Sequence, residues 1–123
     1  MNNKDATKLK LMDESVKILH DVYNQNQEAI NRFHQEFIIK GNNLDSESYH
    51  KYLTIMSDIE LLKQCNRDAC ILMRKHSLIQ SKIENGDSDV DEEIDVFFEL
   101  QKHIEEKINN AASIVKEMHT TLG

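Results

Sequence analysis

Residues 90–122 read VDEEIDVFFELQKHIEEKINNAASIVKEMHTTL, and one line of side chains recurs through them every third or fourth position. The line is Val90, Ile94, Phe97, Gln101, Ile104, Ile108, Ala111, Val115, Met118 and Leu122, apolar except for Gln101. Three-and-four spacing places those residues on one face of an α-helix, whereas a strand would alternate. Sustained over several heptads, it is the seam of a helix that packs as in a coiled coil. The stretch therefore predicts a helix over about 89–121.

Immediately upstream, ENGDSDVDEEID at 84–95 carries seven acids and no base in twelve positions. A calcium loop starting at Asp87 would have carboxylates at alternating places. It would also put Glu92 where glycine must turn the chain and Phe98 where the bidentate carboxylate belongs. Val90, Ile94 and Phe97 already serve the helical seam, and a helix cannot also wrap around an ion. The helical reading uses the same residues with less strain. Asn85-Gly86 makes a turn, Ser88 or Asp89 caps the helix, and Asp91, Glu92 and Glu93 lie in its first turn, where the helix dipole favours anions. One or two acids satisfy a dipole, so the surplus is either a solubility device or a docking surface for a basic partner.

The same period extends towards the N-terminus. Tyr52, Ile55, Ile59, Leu62, Cys65, Ala69, Leu72, His76, Ile79 and Ile83 predict a helix over about 46–84. Leu9, Met12, Val16, Leu19, Tyr23, Asn26, Ile30, Phe33 and Phe37 predict another over about 5–40. Gly41-Asn42-Asn43 ends that first helix, and Asp45 or Ser46 caps the second. Each helix is ~50 Å long at a rise of 1.5 Å per residue. Short connections make successive helices antiparallel. The fold class is all-α: a single domain over 1–123, an antiparallel up-down-up bundle of three long helices, open to completion by oligomerisation. Asn26 and Asn66 fall at the same height in this layout, so the two amides either meet and set the register or point to solvent.

Composition agrees with a few long helices. The 123 residues include no proline, no tryptophan and only three glycines, so there is little to interrupt a helix. The net charge of −7 is uneven: residues 84–99 hold eight of the 22 acids and none of the 15 bases. The remainder is close to neutral and has no basic stripe, which argues against ordinary nucleic-acid binding and against anionic membrane surfaces. No apolar run approaches the roughly 18 residues that span a bilayer. The polar start MNNKDATKLKLMDES lacks the apolar core of a signal peptide. Cys65 and Cys70, five apart on one helix, point away from each other and read as reduced thiols of a cytoplasmic protein.

No chemistry of catalysis is spelled out. There is no Ser, His and Asp arrangement with a nucleophile elbow and no glycine-rich phosphate loop. His76, the one histidine on a seam, is expected to donate to a neighbouring carbonyl. Both cysteines read as packing residues, and no cofactor is implied. The antiparallel layout does bring His34, Glu36, Glu47, His50, Glu117 and His119 towards one end, a donor set suited to zinc or iron. None of the six lies on a seam, and solvated faces carry such residues routinely.

Apolar residues outside the seams are the other signal. Leu11, Ile18 and Val22, then Leu53, Leu61, Ile71 and Leu78, then Phe98, Leu100 and Ile114 widen the stripes beyond what three helices cover. The expected function is a non-enzymatic interaction module, an adaptor, chaperone-like factor or regulator. It self-associates and engages a protein partner that is basic or presents an amphipathic helix. The expected contact is the acidic start of the third helix, Asp87, Asp89, Asp91, Glu92, Glu93 and Asp95, with Phe98 and Leu100 exposed beside it. The alternative is a metal-binding bundle using the His and Glu set.

Overall fold

The computed structural model describes residues 3–39, 46–87 and 89–122. Three helices pack against one another: α1 (Asn3–Phe33), α2 (Ser46–Glu84) and α3 (Asp91–Leu122). The last stretch expected of α1, His34–Ile39, is wound as a wider π-helix. The Gly41–Asn43 terminator and an Asp45 cap lie outside the described residues; α2 opens at Ser46.

Contacts between helices define the directions. As α1 advances from Asp13 to Asn26, its partner on α2 retreats from His76 to Asn66. As α3 advances from Glu93 to Lys107, its partner on α2 retreats from Lys82 to Asp68. Both neighbours of α2 are therefore antiparallel to it, and the bundle runs up, down, up.

The turn between α2 and α3 follows from its sequence. Gly86 adopts φ = 87°, a conformation that costs glycine little and other residues more. The Gly86 N–H donates to the Ile83 carbonyl at 3.0 Å and the Asp87 N–H to the Lys82 carbonyl at 2.9 Å. This Schellman pair satisfies two carbonyls that the helix end leaves open. α3 then starts two residues later than the caps predict. The first helical bond runs from the Ile94 N–H to the Val90 carbonyl, 3.0 Å, so Val90 stands at the cap position. Valine is a poor cap, but this one is 2% exposed within the core. Burying it outweighs a side-chain cap, worth typically about 1 kcal/mol. Asp89 sits ahead of the helix, and its N–H donates instead to Asp87 Oδ1 at 3.0 Å. Ser88 lies outside the described residues.

The core has two lobes. One joins Met12, Val16 and Leu19 to Leu72 and Ile79 and to Val90, Ile94, Phe97 and Ile104. The other joins Ala29 and Phe33 to Ile55, Ile59, Leu62 and Cys65 and to Ala111, Ile114, Val115 and Met118. Ile108 packs against both. At the junction Asn26 and Asn66 are buried, and Asn26 Nδ2 donates to Asn66 Oδ1 at 3.0 Å. Asn66 Nδ2 donates in turn to the Tyr23 carbonyl at 3.3 Å. The amides meet, and a polar tie links α1 to α2 between two apolar lobes.

Candidate functional site

The acidic segment is partly consumed by the fold. Lys82 Nζ bonds Glu93 Oε1 at 2.6 Å, tying α2 to α3, and Lys8 Nζ bonds Asp95 Oδ1 at 3.2 Å, tying α1 to α3. The hydrogen bond to Glu93 raises the Lys82 pKa, and the bond from Lys82 lowers that of Glu93. Each shift favours the charged form, so the pair contributes to stability across neutral pH. Its contribution is lost as acid titrates Glu93 through its lowered pKa, or as alkali titrates Lys82 through its raised one. Asp87 holds the turn through Asp89. Asp89, Asp91 and Glu92 remain exposed along the start of α3.

Phe98 and Leu100 are not the exposed side chains expected beside these acids. Both are half-buried and pack on the first core lobe, and Phe98 meets Phe97 edge-on with ring centroids 5.5 Å apart. The reason is the bundle geometry. Each flank of the α3 seam faces a different neighbour, so a residue one place off the seam still packs. Val96, which the periodicity did not single out, is the more open residue at 38% exposed.

Val96 stands in a groove between α2 and α3 of about 450 Å³, lined by Lys75, Leu78, Ile79, Ser81, Lys82, Asn85, Glu92, Glu93 and Val96. Leu78, 58% exposed, is its most open apolar group. The Lys82–Glu93 pair crosses it. Leu78 was legible as an apolar residue off its seam. Val96 was hidden by the acids around it.

At the other end of the bundle, Glu47, His50 and Glu117 line one shallow cavity of about 360 Å³ with Asp58, Lys51 and Thr54. His34 and Glu36 stand on the π-helical segment, and neither lines that cavity. The His119 side chain lies outside the described ones. Among the described residues no group of three or more His, Cys, Asp or Glu side chains is placed to hold a metal ion. Of the expected six, Glu47, His50 and Glu117 share this cavity, and the described members form no coordination shell.

His76 departs from expectation as well. Its Nε2 lies 2.6 Å from Asp13 Oδ1 on α1, so its partner is a carboxylate and not a backbone carbonyl.

The two thiols are free, Cys65 buried and Cys70 exposed. Burial raises the Cys65 pKa, and a hydrogen bond with Asn26 draws it only partly back. A thiol held protonated and enclosed is a poor nucleophile. Native protein treated with a chromogenic disulfide reagent is therefore expected to release one fast equivalent per chain, from Cys70. The second should appear only on unfolding. Two fast equivalents would show that the lobe around Cys65 opens readily. The Cys70→Ser variant, showing no fast phase, assigns the reactive thiol.

No family model, no curated protein and no solved structure matches this chain. Among the described residues, no helix is long and apolar enough to cross a membrane.

Proposed function

We propose that the protein is a non-enzymatic interaction module that works through helix-to-helix contacts, as a small cytoplasmic adaptor, chaperone-like factor or regulator. The observation that carries this reading is the apolar surface of α2. Nine large hydrophobic residues are exposed among those described, and six of them, Tyr49, Leu53, Met56, Leu61, Ile71 and Leu78, stand on that one helix. α1 and α3 concentrate their apolar residues on one side, and α2 does so far less. A helix that is apolar on several sides belongs in an interior, and here only two neighbours cover it.

Asp87, Asp89, Asp91 and Glu92 offer a second, charged contact for a basic partner.

Native mass spectrometry of freshly purified, untagged protein tests the reading. The expected spectrum shows a metal-free dimer or larger assembly. A monomer carrying one or two metal ions per chain would overturn it and direct attention to the Glu47, His50 and Glu117 end.

A further inference from the structure

We propose that the α2/α3 groove around Leu78 and Val96 is the contact face of a symmetric dimer, filled by the same face of a second copy of this chain. The inference rests on the interaction reading above and names its partner. Leu78 is 58% and Val96 38% exposed, and the buried Ile79 lies beside them in the same groove. These apolar groups occupy the middle of the face. The charges around them select what can cover it.

The α2 wall contributes Lys75 and Lys82, and the α3 wall contributes Glu92 and Glu93. Lys82 and Glu93 neutralise each other across the groove at 2.6 Å. Lys75 and Glu92 are left over, and neither has a hydrogen-bond or ion-pair partner among the described residues. They are of opposite sign, on opposite walls. Each is about one helical turn from the apolar group on its own helix, Lys75 from Leu78 and Glu92 from Val96.

A wholly apolar helix laid in this groove would desolvate both charges without pairing either. A basic partner would face Lys75 with a like charge, and an acidic partner would face Glu92 with one. A two-fold image of the same face avoids all three conflicts. Across a symmetric interface each contact occurs twice. Lys75 of one copy meets Glu92 of the other, the reciprocal pair forms alongside it, and Leu78 and Val96 close the centre.

Sedimentation equilibrium of the full chain and its variants is the test. Wild type is expected to be a dimer. Leu78→Asp should weaken dimerisation by at least ~30-fold, as expected for a central anchor. Helicity should be unchanged, because Leu78 gives little to the monomer core. Lys75→Glu and Glu92→Lys should each weaken it about tenfold through two like-charge contacts. The combined K75E/E92K chain should regain the wild-type constant. An equimolar mixture of the two single variants should also associate like wild type, since every contact in the mixed dimer pairs opposite charges.

Dimerisation indifferent to Leu78→Asp would overturn this face while leaving the interaction reading intact. A charge exchange that fails to restore association would overturn the two-fold pairing. A wild type that is monomeric at every concentration would overturn the dimer, and the interaction reading would then stand or fall on capture of a different partner.

Discussion

Replacing Phe97 with alanine is expected to lower the unfolding free energy by about 3–5 kcal/mol, as large-to-small changes at packed aromatic positions do. Phe97 is 0% exposed and heads the largest fully buried side chains. It belongs to the lobe that joins all three helices, with Met12 and Leu19 from α1 and Leu72 and Ile79 from α2. Its loss removes transfer free energy and the edge-on contact with Phe98. It also leaves a cavity that three helices would have to shift together to close. Domains of this length have about 6–18 kcal/mol in total at 0.05–0.15 kcal/mol per residue, so the change is a large share. Urea unfolding followed by circular dichroism measures it. A loss under about 1.5 kcal/mol would mean that the lobe repacks readily.

Phe98→Asp would not be a clean probe of association, because Phe98 packs on the same lobe. An aspartate there unfolds the first lobe in part, and any effect on assembly would be confounded. Leu78 is open and carries no such penalty.

The bundle was legible because residues such as Met12, Leu19, Ile59, Leu62, Leu72, Ile94 and Phe97 recur in step, and every one of them is buried. Periodicity is a backbone property that tertiary context has little reason to override. The misreadings arose where spacing alone does not show which neighbour a side chain meets. Ala29 is 5% exposed yet gave no signal, since one methyl group barely marks a face. Ile114, placed on a flank by its spacing, is 7% exposed, because the seam of α3 drifts around the helix along its length. Val90 took the cap position against local preference because the core reaches that far. The surface was less legible still. The acids of 87–95 look uniform in sequence, but Glu93 and Asp95 find lysines on two different helices while Glu92 does not, and only assembled helices distinguish them.

Asn66→Leu is expected to cost about 1–3 kcal/mol, and more than Asn26→Leu. The two changes are nearly isosteric, since leucine repeats the branched shape of asparagine, so the difference reports hydrogen bonding. Asn66 makes two bonds, accepting from Asn26 and donating to the Tyr23 carbonyl. Removing it leaves a buried amide on α1 without its acceptor and the part-buried Tyr23 carbonyl without that donor. Removing Asn26 leaves Asn66 still bonded to Tyr23 and costs, besides the amide pair, only the weak sulfur hydrogen bond with Cys65. The double variant should recover part of the loss, because no side-chain amide is left unpaired between the two lobes. A coupling free energy of at least about 1 kcal/mol in the double-mutant cycle is the expected signature of residues in contact. What the apolar version gives up is definition. With no polar pair to mark the height at which α1 meets α2, the seams admit more than one alignment. Spin labels on exposed Glu28 and Lys63 should then report a broader distance distribution than in the wild-type background. Additive single effects would deny the pair its energetic role, and an unchanged distribution would deny it the setting of register.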